Sequence, residues 1–276
     1  MAESLPVLKI VPVDRIVIHE YHDIRRSEKL AKRIKEDGFL KDPPMVARLE
    51  EERYVHLDGA NRIETLRLLG CRDILVQVVD YYDEEEVQLD SWCHLTKMDK
   101  VTFLSKLGDI RGIQVRRTDY ETAGEALRER KVLCCIFFRD KDVYAIEAGE
   151  GLKERVGLLN EVVDLYKADI TRDIVERREM AGRIDDLFRR HGDCNVTIVF
   201  PKFTPREIVR VAASKLKVPA GITRHIIKNR ALRLYFPLII LESKALSLEE
   251  KNKLLEEFLK DKSPRVYAEP TVMYDE

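Results

Sequence analysis

Apolar and polar residues change period several times along the 276-residue chain, and each change marks an element. Residues 8–13 alternate weakly and predict a strand, continued in the same style to Ile18. A helix follows from near Ser27, turning Leu30 and Ile34 inward and closed by Gly38. Residues 45–49 and 54–57 predict a hairpin with its turn at 50–52. Asp58-Gly59 then leads directly into a helix whose Ile63, Leu66 and Leu69 recur at helical spacing, with Gly70 as the C-terminal stop. Residues 74–79, rich in β-branched side chains, return to the same sheet. This opening portion predicts a compact α+β unit.

Beyond an acidic link at 80–86, the pattern predicts helices over 100–110, 152–166, 173–190 and 248–259. Strands are expected at 132–138, 143–146, 195–200 and 232–241. Thr204-Pro205 opens a further helix carrying Ile208, Val209, Val211 and Leu216, with a cap and a first-turn proline. The tail RVYAEPTVMYDE is expected to pack as a last edge segment. The whole is an α/β (α+β) chain, divided into a first unit over 1–98 and a second lobe over 99–276.

Composition narrows the class. Hydrophobic residues make up 45% and charged residues 36%, as in a globular protein with a charged surface. Basic and acidic residues balance at 49 and 50, and a net charge of −1 argues against general nucleic-acid binding. The mixed charge of ERREMAGRIDDLFRR suits a solvated helix face rather than a nucleic-acid patch. No run approaches the roughly 20 apolar residues of a membrane span, and MAESLPVLKIVPVD lacks the layout of a signal peptide. A cytoplasmic location is expected. Five scattered cysteines without a CxxC pair suit reduced, buried thiols.

The candidate chemistry sits at the strand-to-helix turn. A helix N-terminus presents free N–H groups and a positive dipole end, which favour an anion. Arg62 in the first turn adds a charge that grips phosphate bidentately, and Asp58 is placed to cap the helix. An ordinary capped helix with a surface arginine would share this short D-G-x-x-R pattern. Glu20 lies between His19 and Tyr21-His22 in HEYH, where a solvated loop carboxylate is the plainer reading. Trp92, the single tryptophan, suits core packing or a pocket wall. Thr223, Arg224 and His225 offer a hydroxyl, a guanidinium and an imidazole in succession after the Pro219-Ala220-Gly221 break.

LDGANRIETLRLLG resembles the core motif of the ParB/sulfiredoxin-like nucleotide-binding fold. More closely, the chain resembles the free L-serine kinases of that superfamily, which make O-phospho-L-serine for cysteine or siderophore-precursor synthesis. LKIVPVDRIVIHE, SWCHL and VPAGITRHI are similar to further segments of that family in the same order. The resemblance spans most of the chain and is weakest between about residues 100 and 190. Many members carry histidines in the two positions after the glycine, where this chain has Ala60 and Asn61.

The resemblance implies Glu20 as catalytic glutamate and Asp58, Gly59, Ala60, Asn61 and Arg62 around the nucleotide. Trp92, Thr223, Arg224 and His225 are implied at the serine. Phosphoryl transfer requires a held phosphate, neutralised charge and an in-line, deprotonated acceptor. Asp58 suits the Mg2+ that bridges phosphates and Glu20 suits the general base, although sequence alone does not separate base from metal ligand. The donor is ATP or ADP: VPAGITR is similar to the ATP-using branch, and the histidine after it to the ADP-using archaeal one. The competing readings are a ParB-like DNA-binding regulator, which calls for a helix-turn-helix and a basic face, and a ligand sensor without chemistry. Nothing in the sequence sets an oligomeric state.

Overall fold

The computed structural model describes residues 5–22, 24–50 and 52–266. Two antiparallel-rich sheets organise it. The first has five strands in the order Val7–Pro12, Asp73–Val79, Met45–Arg48, Tyr54–Asp58 and Ile16–Val17. Met45–Arg48 runs parallel to Asp73–Val79 and antiparallel to Tyr54–Asp58, so the expected hairpin is present, closed by Leu49 N–H to Arg53 O at 2.7 Å. Helices Ile24–Asp37 and Ala60–Leu68 bury Ile34, Ile63 and Leu66 with Ile10, Ile74 and Val76. The opposite side packs Met45, Val55 and Leu57 against Ile208 and Ala212 of the helix Pro205–Ala213. Coverage of both faces explains why all seven residues of Asp73–Val79 are buried, as in a central strand of continuous apolar character.

The second sheet is fully antiparallel, in the order Thr171–Asp173, Cys93–Thr96, Val196–Val199, Cys134–Phe138, Val143–Ala148 and Ile113–Thr118. Helices Tyr120–Arg128 and Met180–Arg190 contribute to one core, and Lys100–Gly108 and Leu152–Asp164 to another. Between the two sheets, Thr223–Ile227 pairs with Val87–Ser91 as a two-stranded ribbon. No helix among the described residues is long and apolar enough to cross a membrane. The five cysteines are free and buried, as their scatter suggested.

Three expectations are corrected. The helix expected from Asp173 begins only at Met180, because Thr171–Asp173 joins the second sheet. The segment between them carries the buried Arg177, whose guanidinium reaches Asp90, the Ser91 hydroxyl and Phe200 O. The strand expected over 232–241 is instead a kinked approach with positive φ at Arg233 and Tyr235, a two-residue pairing of Phe236–Pro237 with Phe39–Leu40, and the helix Leu238–Glu242. Pro237 has no N–H for a ladder. The third concerns Asp58 and is taken up with the site. Beyond Val266, the tail lies outside the described residues.

The helix Leu248–Lys260 and the segment before it return to the first sheet. Phe236, Leu238, Leu241 and Leu255 join the first core. Asn252, in the helix Leu248–Lys260, gives its amide to Ile10 O and accepts Ile10 N–H, both at 2.9 Å, so a side chain completes an edge strand. Beside it, the fully buried Lys251 Nζ donates to Asp73 Oδ2 at 2.8 Å and to Leu241 O at 2.9 Å. Replacing one partner leaves the other charge buried and unpaired. Lys251→Met is expected to lower unfolding free energy in urea by about 3–5 kcal/mol, with part recovered in Lys251→Met/Asp73→Leu. A single-variant loss below about 1 kcal/mol, the scale of an exposed pair, would contradict the pairing.

Candidate active site

The first sheet delivers Tyr54–Asp58 to the turn that starts the helix Ala60–Leu68. Gly59 caps that helix in the left-handed region at φ +91°, where an added Cβ would sit 2.9 Å from Pro44 Cβ and 2.8 Å from the Arg62 guanidinium. Both the conformation and the close approach require glycine. Asp58 is therefore not the N-cap expected from the sequence. Its Oδ2 accepts from Arg62 at 3.0 Å and from Arg230, and no side chain caps the helix. The N-terminus stays open toward an anion.

Arg62 is also a strap. Its other nitrogen donates to Asp42 O at 3.0 Å and Pro43 O at 3.2 Å, fixing the loop against which Gly59 packs. Asn61 Oδ1 accepts from the Ser27 hydroxyl at 3.1 Å, which ties the first turn to the helix Ile24–Asp37. Arg230 was not foreseen. It comes from a loop after the ribbon, held by Gln77, whose side chain bonds Asn229 O at 3.1 Å and Ala231 N–H at 2.8 Å. Burial would raise the Asp58 carboxyl, but Arg62 and Arg230 outweigh it and hold it below the usual range.

Glu20 enters from the other side. Val218 N–H bonds His19 O at 2.9 Å and Tyr21 N–H bonds Val218 O at 3.0 Å, so Glu20 is clamped in a short parallel bridge. Its Oε2 accepts from the Thr223 hydroxyl at 3.1 Å, and its Oε1 lies 3.9 Å from His56 Nε2. His56 and Asp58 are two apart on one strand, with a register shift against Met45–Arg48 between them, and the Asp58 charge acts on His56. His56 thus lies near both carboxylates.

Three histidines line this space, His19 and His56 buried and His225 half-buried. His19 and His56 rings are 4.4 Å apart, and His225 stands edge-on to His19 at 5.7 Å with its Nε2 2.7 Å from the Tyr81 hydroxyl. Burial pushes His56 down to about 3 and, together with His56, pushes His225 down to about 4. Burial also lowers His19 well below its ordinary value. All three are neutral near pH 7, so the charges here belong to Glu20, Asp58 and the arginines.

Strand alternation turns Thr223 and His225 toward this cluster and Arg224 to the other face of the ribbon. There the Arg224 guanidinium stacks 5.2 Å over the half-buried Trp92 ring, a cation–π arrangement. It has no carboxylate or carbonyl partner among the described residues. Asp90, directly across the ribbon from it, is taken by Arg177 and Lys202. His94 is a core residue, bonded to Gly221 O at 2.9 Å and facing the Tyr166 hydroxyl at 3.2 Å. A separate cleft of about 320 Å³ in the second half is lined by Arg130, Arg155, Lys202 and Glu207, and there Arg130 and Glu207 neutralise each other.

His56, His19 and Tyr81 were missed along with Arg230. Counting back two residues from Asp58 finds His56. Nothing in the sequence marks Arg230, which lies 172 positions from its partner.

No protein-family model matches the chain. Along 98% of its length, however, it is 28% identical over 272 residues to the ATP-dependent L-serine kinase SbnI of Staphylococcus aureus, covering 97% of that protein. The structure of SbnI with a C-terminal truncation superposes with a TM-score of 0.71 at 24% identity, covering 92% of this chain and 96% of that one. A free serine kinase in complex with AMP gives 0.68 at 17% identity, covering 87% and 95%. The chain has the fold of these proteins, as the sequence resemblance implied.

The neutral histidines have a thermodynamic consequence. His19, His56, His94 and His225 all hold protons less tightly when folded than the ordinary value of 6.5. Between that value and about 4 the unfolded chain binds the extra protons, so their stabilising effect is full above 6.5 and fades as pH falls. Unfolding at pH 5 is expected to take up close to four protons from these residues. Calorimetry in buffers of different ionisation enthalpy measures this directly, and an uptake below about two would contradict their burial as neutral rings.

Proposed function

We propose that this relative of the ATP-dependent L-serine kinases transfers the γ-phosphoryl group of ATP to the hydroxyl of free L-serine, giving O-phospho-L-serine and ADP. The observation that carries the reading is Glu20 held against His56 and Thr223, together with Asp58, Arg62 and Arg230 gathered at a helix N-terminus that no side chain caps. The similarity to SbnI along nearly the whole chain supports it.

In this mechanism the nucleotide phosphates lie at the N–H groups of Ala60, Asn61 and Arg62, with Gly59 keeping the approach clear. Arg62 and Arg230 neutralise charge as it develops on the transferred group. Glu20 accepts the serine proton as the serine oxygen attacks phosphorus. Thr223 and His225 border the serine from the ribbon. Arg224, stacked on Trp92 on the other face of the ribbon, does not border the serine in this reading. Among the described residues there is no cluster of three metal-ligating side chains, and two guanidiniums already face Asp58. That donor set suits a magnesium ion carried in on the nucleotide, which commonly keeps its waters and binds through one or two carboxylates and phosphates. Asp58 would hold it, and the ion would supply further neutralisation of phosphate charge.

ATP is the donor in this reading because SbnI is named for it, although a helix N-terminus does not itself distinguish a β- from a γ-phosphate. Incubation with magnesium, serine and either nucleotide decides the point. O-phosphoserine is expected with ATP. Product with ADP alone would reverse the donor and keep the reaction, and no product with either would sink the kinase assignment.

Glu20→Gln is expected to lower kcat by about 10²–10⁴-fold, the range for a general base, with nucleotide affinity nearly unchanged. Arg230→Ala should do the reverse, weakening nucleotide binding about tenfold or more, as removal of a charged hydrogen bond does. Loss of nucleotide binding in the first variant would overturn the division of roles.

A further inference from the structure

The hydrogens around Glu20 are almost fully specified by their partners. His19 N–H donates to His56 Nδ1 at 3.2 Å, so that nitrogen is bare and the neutral His56 ring carries its hydrogen on Nε2, toward Glu20. His56 O, 3.0 Å from His19 Nδ1, can only accept. His19 Nδ1 therefore carries the hydrogen of its neutral ring, and Nε2 is the bare acceptor. That acceptor lies 3.2 Å from Thr223 Oγ1, which is also 3.1 Å from Glu20 Oε2. A threonine hydroxyl has one hydrogen, and here two acceptors compete for it.

The competition is settled by charge. An ionised carboxylate is the stronger acceptor and takes the hydrogen while Glu20 is negative. Once Glu20 is protonated it becomes an ordinary neutral carboxyl group, and the imidazole nitrogen becomes the better acceptor.

We propose that Thr223 and His19 form a hydrogen-bond relay behind Glu20, in which the Thr223 hydroxyl turns from Glu20 to His19 as Glu20 gains the substrate proton. The relay rests on the kinase reading above. In the step the serine O–H bond breaks and an O–H bond forms on Glu20. The serine oxygen bonds to the γ-phosphorus, and the bond from that phosphorus to its bridging oxygen breaks, so that ADP leaves with the electron pair. The Thr223 hydrogen stays on its own oxygen throughout, and His19 remains neutral. The hydroxyl thus has an acceptor in both protonation states of the base, and its loss from the carboxylate is offset as the proton arrives. His19 is wholly buried and touches Thr223 and His56. It is a positioning residue.

A double-mutant cycle tests the relay. His19→Asn keeps an amide hydrogen for His56 O and removes the second acceptor. Thr223→Val removes the hydroxyl at nearly constant volume, and Thr223→Ser restores it. Each of the first two is expected to lower kcat about tenfold, the size of one hydrogen bond, with the KM for ATP unchanged. The double variant should be no slower than Thr223→Val alone, and Thr223→Ser should recover most of the rate. Two losses that multiply would overturn the relay while leaving the kinase intact. So would an effect of Thr223→Val confined to the serine KM, which marks a substrate contact only. Should His19→Asn fail to fold by its melting temperature, the Val/Ser pair decides through the same kcat-against-KM split. A wild-type protein that makes no phosphoserine would instead remove the kinase reading on which the relay stands.

Discussion

Two backbone hydrogen bonds, from Val218 to His19 and from Tyr21 to Val218, fix Glu20 against the segment that continues into the ribbon. Without them Glu20 would stand on a loop. With them it meets Thr223 five residues further along, held between segments far apart in the sequence. The same bridge brings His225 to His19 and thereby closes the histidine-lined wall. A carboxylate that must meet a hydroxyl at a reacting distance near 3–3.5 Å gains most from such a fixed seat.

Charge is arranged around that seat with little waste. The histidines are kept neutral by burial, so they offer hydrogen-bond donors and acceptors rather than charge. Asp58 stays ionised because Arg62 and Arg230 outweigh its desolvation, and it in turn holds both guanidiniums beside the open helix N-terminus. In the proposed reaction an incoming polyphosphate would meet donors already oriented, with less reorganisation left to do at the moment of transfer.

The hairpin, the glycine turn and the following helix were legible because the apolar period switches from two to about 3.6 at Gly59. Family resemblance implied Glu20, Thr223 and His225 at one site, and in the structure Thr223 bonds Glu20 while His225 stands against His19. The role of Asp58 within the turn was not. A cap is a local expectation, and it was displaced by Arg230, a partner from a distant loop. The strand Ile113–Thr118 escaped notice because it is a mostly exposed edge with two arginines, so no apolar alternation marks it. Residues 232–241 misled in the opposite way. Their hydrophobicity is real and is spent on the first core, but positive φ at Arg233 and Tyr235 breaks the chain into pieces too short for a strand.

Asn252 and Lys251 complete partners that lie at positions 10 and 73. A ribosome makes those partners first. Until the helix Leu248–Lys260 has been made, the edge at Ile10 and the Asp73 carboxylate lack these partners. The opening half of this protein is therefore not a unit that matures early and waits for the rest. The strand Asp73–Val79, a neighbour of Met45–Arg48 in the first sheet, gains its last partner only when that late helix docks.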